Sequence, residues 1–264
     1  MNSMELPLVA FTILSQAAIG MVIISSVRQY AVEGPTGNIR AEWIVAALIL
    51  MCGIAASFLH LGHPLGAVNV IKHIGTAWLS REAVGVSLVL MLMIIGFATI
   101  DQKVKPALAA GTALMGVLAI FFTGMTYAPP GYPALNNILP FVFFLLTAAT
   151  LGTAISSYFS PKEKMPLLTL ILGAGLLVAL TVYLIVPFIW FSAGTVMQQT
   201  AVEYLSSPLY WLRIVIGLAI PLGTLIMTRT IPVWVPVLIL TGEIIGRIAF
   251  FSLTLHASTN IGGI

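Results

Sequence analysis

Eight apolar stretches run through the chain, at residues 6–27, 43–62, 82–100, 106–127, 137–158, 166–191, 209–228 and 233–256. Each is close to, or longer than, the about 20 residues that an α-helix needs to cross a bilayer. The runs are continuous and lack the apolar–polar alternation of barrel strands. A backbone in hydrocarbon must also satisfy its own hydrogen bonds, which a helix does within one segment. The pattern predicts an all-α membrane protein with eight transmembrane helices, residues 1–264 forming one polytopic domain. Pro187 and Pro221 fall inside the sixth and seventh stretches, where a missing backbone donor predicts a bend or kink. Glu5 precedes the first stretch, no basic residue does, and the run is longer than a signal core. It is therefore expected to be an uncleaved helix with its amino end translocated.

Composition sharpens this reading. Apolar residues make up 59% of the chain and charged residues 7%, against about 25% charged in soluble domains. The net charge of +3 is scattered, with no basic run, so nucleic-acid binding has no support. Cys52 is the only cysteine and sits inside an apolar run, where it reads as a small buried hydrophobe. The sequence holds no disulfide pair, no iron–sulfur cluster motif and no CxxCH for covalent haem.

Charge also orients the helices. The segments after the first, third, fifth and seventh carry seven basic residues: Arg28, Arg40, Lys103, Lys105, Lys162, Lys164 and Arg229. The opposite side carries Lys72 and Arg81, with Arg213 just inside the seventh stretch. Positive residues stay on the cytoplasmic side, so both termini are expected to face outward. The outer connections, 63–81, 128–136 and 192–208, are also the longer ones.

Candidate chemistry gathers at that outer end. The segment 57–82, SFLHLGHPLGAVNVIKHIGTAWLSRE, holds three of the four histidines, His60, His63 and His73, together with Arg81 and Glu82. Ionisable groups at the edge of a membrane helix point to a functional site. An imidazole at position 60 suits two roles. It can accept a hydrogen bond and a proton from a hydroxyl of a lipid-soluble ligand, or it can bond a free helix-end carbonyl or a headgroup. Glu82 is expected in the first turn of the third helix, where the helix dipole favours a carboxylate. Its alternative role is as a second proton acceptor facing His60. His63 and His73 read as loop residues. His256 ends the eighth helix, and a haem held by His60 and His256 is conceivable, whereas a pair of haems spanning the bilayer is not.

Glu243 and Arg247 lie four apart in GEIIGR and are expected to pair on one helix face. Gly242 and Gly246 form a small-xxx-small pattern that permits close helix approach. Glu243 reads as a packing clamp, and Arg247 as a clamp or a ligand-facing cation. Arg213, Tyr204, Tyr210 and Trp211 fit an interfacial belt. Tyr127, Tyr132, Asn136 and Asn137 are placed to rim a pocket or dock a partner.

These residues resemble the membrane-anchor subunit of bacterial anaerobic dimethyl sulfoxide reductase. The matching pieces are ELPLVAFTILSQAAIG, SFLHLGHP, NVIKHIGTAWLSRE and GEIIGRIAFF. The likeness runs from the first helix to the last and is loosest in helices four to six. The anchors of polysulfide and nitrite reductase complexes are similar more distantly. The resemblance implies a haem-free, multi-pass subunit of the bacterial inner membrane that oxidises menaquinol in anaerobic respiration. It implies two partners: an iron–sulfur subunit with four 4Fe–4S clusters and a molybdopterin catalytic subunit. It places quinol oxidation at His60 and Glu82. Arg81 and Arg247 are further candidate binding residues by their position, expected to stabilise the site or the partner dock. The arginine before the glutamate departs from the family pattern, and its charge would make the carboxylate a weaker base. A b-type cytochrome anchor is the main alternative. A secondary transporter is the other, although an ionisable path through the bilayer is approached only by Glu243 and Arg247.

Overall fold

In a computed structural model, which describes residues 6–31, 33–59, 70–101 and 103–260, the apolar runs are helices and no strand occurs among the described residues. The helices are α1 (Leu6–Ala31), α2 (Ile39–Phe58), α3 (Trp78–Thr99), α4 (Pro106–Thr126), α5 (Leu139–Ser156), α6 (Met165–Phe191), α7 (Thr195–Ser206), α8 (Pro208–Ile214), α9 (Ile220–Thr228) and α10 (Val235–Ser252). Eight spans among the described residues are long and apolar enough to cross a membrane. Each overlaps one predicted stretch, with ends shifted by at most four residues. The seventh span, Pro208–Thr228, is composite: a π-helical turn, Val215–Ala219, joins α8 to α9. Pro221 follows that turn directly, so the wider turn sits where the proline withholds a donor.

The connections gather at two ends of the bundle. At one end Asn38 N donates to Phe159 O at 3.1 Å, and Val104 N donates to Gln29 Oε1 at 2.9 Å. Tyr158 reaches Val233 O at 2.6 Å at the same end. At the other end Ala257 N donates to Gly131 O at 2.8 Å, tying the carboxyl-terminal segment to the connection between α4 and α5.

α1 is the central post, packed against α2, α4, α5 and α10. Its enclosed face carries Thr12, Ser15, Gln16, Ser25, Ser26, Arg28 and Gln29. Small residues let its backbone close on α5: a Cβ on Gly152 would lie 2.8 Å from Met21 N, and one on Gly20 would run into the backbone of Ala148. Close approach through small residues is the usual geometry where lipid removes the hydrophobic drive between helices.

Two buried ion pairs cross between helices. Arg28 of α1 grips Glu42 of α2 with both guanidinium ends, and both residues are fully enclosed. Its Nη1 also reaches Ser156 O at 3.3 Å, while Lys164 Nζ donates to Arg28 O at 2.8 Å. Arg28 and Lys164, expected as loop charges, are thus interior groups. The second pair corrects the expected Glu243–Arg247 contact: Glu243 Oε1 accepts from Arg213 Nη2 at 2.5 Å instead. Glycines decide this. A Cβ on Gly217 would sit 2.7 Å from Gly242 Cα, and one on Gly246 would sit 2.9 Å from Arg213 Cδ. Arg213 therefore lies flat on α10 and reaches the carboxylate first.

Other expectations change for the same reason. Arg213, Tyr204 and Tyr210 are buried rather than interfacial, and only Trp211 keeps an exposed face. The connection 192–208 contains α7, which folds onto α6, stacks Tyr204 against Trp190 with centroids 5.0 Å apart, and brings the Tyr204 hydroxyl within 3.3 Å of Thr254 Oγ1. Cys52 is exposed on α2 rather than buried. His60, His63 and most of the first half of the 63–81 connection lie outside the described residues.

Gly217→Leu should force α8–α9 and α10 apart and lower the thermal midpoint in detergent, a loss of about 1–3 kcal/mol. Arg213→Met should cost about 3–5 kcal/mol, because it strands a buried carboxylate. Arg213→Met combined with Glu243→Met should recover most of that loss. Denaturing-detergent titrations of the three variants measure both effects.

Candidate functional site

The first turns of α3 build the site. α3 begins at Trp78, so Glu82 sits one turn further in than the sequence suggests, beyond the dipole-favoured first turn. Gly85 lets α3 lie close to α4, where a Cβ would stand 3.5 Å from Ala119 Cα. That closeness puts Glu82 inside the bundle at 3% exposure. Both carboxyl oxygens lack a hydrogen-bond partner among the described residues. Thr123 and Thr126 of α4 are polar neighbours, but Thr126 gives its hydroxyl to Phe122 O at 3.0 Å. A buried carboxyl without partners is costly, and polar groups left in that condition inside a protein are few.

Beside Glu82 lies a cavity of about 500 Å³. Leu8 and Phe11 of α1, Ile54, Ser57 and Phe58 of α2, and Val86 and Met91 of α3 line it, with Val70 and Ile71 from the connection between α2 and α3. Tyr127, the residue after α4, closes the far side. Ser57 spends its hydroxyl on Ile54 O at 2.7 Å. The lining is thus apolar apart from a few polar side chains, among them Glu82, whose carboxyl oxygens are themselves enclosed. Pockets of this make-up hold apolar molecules and orient them by a few polar contacts.

The other predicted site residues divide. His60 lies outside the described residues; Phe58, two positions before it in the chain, lines the cavity. Arg81 does not line the cavity. Its guanidinium turns back to Ile74 O at 3.0 Å and Gly75 O at 2.7 Å, and stacks 4.3 Å over the Trp78 ring. It braces the entry to α3 and makes no ion pair with Glu82. Arg247 is buried deeper. Its Nη2 donates to Gln16 Oε1 at 2.7 Å and Thr147 Oγ1 at 3.1 Å, and its guanidinium lies 4.1 Å over the Phe144 ring. Thr147 also donates to Glu243 Oε2 at 2.8 Å, which links Arg247 to the Arg213–Glu243 pair through a hydroxyl. His256 bonds within its own turn, Nδ1 to Ser258 Oγ at 2.8 Å, with its ring against Tyr132. No group of three or more metal-ligating side chains occurs among the described residues.

Tyr127, expected from the sequence to rim a pocket or dock a partner, lines the cavity. Here burial holds its phenol well above the ordinary range. The Glu82 charge adds to this and the Arg247 charge opposes it. Tyr127 therefore stands within electrostatic reach of both groups.

Comparison with known proteins agrees with this architecture. The chain is 27% identical to the anaerobic dimethyl sulfoxide reductase protein YnfH of Escherichia coli K12, over 98% of each sequence. It is 29% identical to an anaerobic dimethyl sulfoxide reductase chain of Haemophilus influenzae, over 58% of this chain and 57% of the relative. It is 32% identical to a sulfite dehydrogenase subunit of Allochromatium vinosum, over 48% of this chain and 44% of the relative. The family model described as the DMSO reductase anchor subunit (DmsC) matches residues 1–253. This multi-pass membrane protein therefore belongs to the DMSO reductase anchor subunit family.

Proposed function

We propose that the cavity beside Glu82 is a quinol site, and that the chain oxidises menaquinol there for an iron–sulfur partner and a molybdopterin catalytic subunit. The observation that carries this is the unpartnered Glu82 carboxyl beside a largely apolar cavity. A quinol fits it: an apolar ring and tail for the lining, and a hydroxyl for the carboxylate. When bound, the quinol supplies two electrons and two protons and leaves as the quinone. Glu82 accepts a hydrogen bond from one hydroxyl and takes its proton. His60, close in sequence to the cavity-lining Phe58, is the second acceptor in this reading. Arg81 braces the start of α3, and Arg247 acts from behind the site. The electrons leave to a redox centre held by a partner, because the sequence carries no cluster or haem-attachment motif of its own.

The cavity end of the bundle is read as the outer face of the bacterial inner membrane, with both termini on that side. Protons released there stay on the side where the quinol was oxidised. The buried carboxylates further along the bundle, Glu243 and Glu42, are each held by an arginine. A carboxylate locked in such a pair is a poor proton carrier, since protonation would strand the buried cation. Turnover is accordingly expected not to move charge across the membrane.

The Allochromatium relative supports a second reading of direction. By its name it serves a dehydrogenase rather than a reductase. The same cavity would then receive electrons and reduce a quinone, and the catalytic partner would set which way the current runs.

Glu82→Gln should leave the complex assembled and lower menaquinol oxidation by about 100-fold or more, in line with the loss of a positioned proton acceptor. His60→Arg should assemble and fail in the same assay. Full quinol-dependent turnover in either variant would remove that residue from the mechanism. Sealed vesicles containing the complex should release protons on one side during turnover without building a membrane potential from quinol oxidation.

A further inference from the structure

We propose that Tyr127 is a second ligand-holding residue of this cavity, its hydroxyl donating a hydrogen bond to one oxygen of a two-oxygen aromatic ring in both the reduced and the oxidised form. The proposal rests on the reading of the cavity as a quinol site and adds a division of labour within it.

The Tyr127 ring is fixed from two helices. It meets Phe144 of α5 edge-on with centroids 5.7 Å apart, and Phe251 of α10 edge-on at 5.4 Å. Such contacts set the plane of a ring and hence the direction of its hydroxyl. Phe144 is itself held by Arg247, whose guanidinium lies 4.1 Å over it. Arg247 thus supports the cavity through Phe144 and Tyr127 without touching it, as a positioning residue.

The hydroxyl itself is unclaimed. Tyr30, Tyr158, Tyr204 and Tyr210 all bond within the protein through their hydroxyls. Tyr127 lines the cavity, and its hydroxyl has no partner among the described residues. A largely enclosed phenol normally finds an acceptor, so one left open beside a cavity marks where a ligand oxygen belongs. Burial and the nearby Glu82 charge keep the phenol protonated well beyond neutral pH, so it is a standing donor.

The two polar groups then differ in what they can hold. A neutral phenol donates equally well to a hydroxyl oxygen and to a carbonyl oxygen. While ionised, Glu82 only accepts and so engages a hydroxyl; once it has taken the proton it can donate to a carbonyl. Tyr127 therefore donates to the ring in both redox forms without changing its own charge, while the bond that Glu82 makes depends on whether it or the ligand holds the proton.

The test is equilibrium binding of a short-tailed menaquinol analogue and of its oxidised form to the assembled complex. It compares the wild type with Tyr127→Phe, which removes the hydroxyl and keeps both ring contacts, and with Glu82→Gln. Tyr127→Phe should weaken both forms by a similar factor, about 5- to 10-fold for one lost hydrogen bond. Glu82→Gln should weaken the reduced form and spare the oxidised one. Unchanged binding of both forms in Tyr127→Phe, or weakening of the reduced form alone, overturns the proposal for Tyr127 and leaves the quinol site standing. Binding of neither form by the wild type overturns both.

Discussion

In lipid, a leucine gains little by turning from an acyl chain to another leucine, so apolar burial cannot decide how eight helices assemble. What decides here is polar satisfaction at close range. Arg28 must have Glu42, and Arg213 must have Glu243. Each of those contacts requires backbones close enough for short side chains and glycines to meet, as at Gly217 against Gly242 and at Gly20 against α5. The interior around α1 consequently mixes polar groups with apolar side chains such as Ile19, Met21 and Val22, and many large apolar side chains face outward.

Glu82 stands out against that rule. Every other buried carboxylate among the described residues has an arginine or hydroxyl partner, whereas Glu82 has a cavity. It sits where α3 packs against α4, beside Gly85, whose added Cβ would crowd the Phe122 ring at 3.1 Å. The wall behind it is aromatic and is held in turn by Arg247, whose other bonds are to neutral groups, Gln16 and Thr147. Site and scaffold therefore share one network: the interactions that tie α1, α5 and α10 together also orient the ring that closes the cavity.

Much of the fold was legible before any coordinates. Run length alone located the eight spans, because helix is the only open-ended way for a single segment to satisfy its backbone in hydrocarbon. The small-xxx-small glycines of the last span were read correctly as a close-approach surface. The amphipathic α7 was not seen, since it is too short to span and only modestly apolar. Among the candidate site residues, Glu82 was singled out from its residue type and place at the head of a span. Arg81 was grouped with it by adjacency, yet consecutive helical side chains diverge, and Arg81 turns to Ile74 and Gly75 instead.

The sequence by itself determined the solvent, the class and the number of spans, because those follow from local hydropathy and covalent order. Only the tertiary structure decided which charge meets which. Glu243 takes Arg213, thirty positions away in sequence, rather than Arg247 four positions away. Tyr127 closes a cavity between helices. Both outcomes depend on how near two backbones come, a distance set by small residues on separate helices and written in no single stretch of chain.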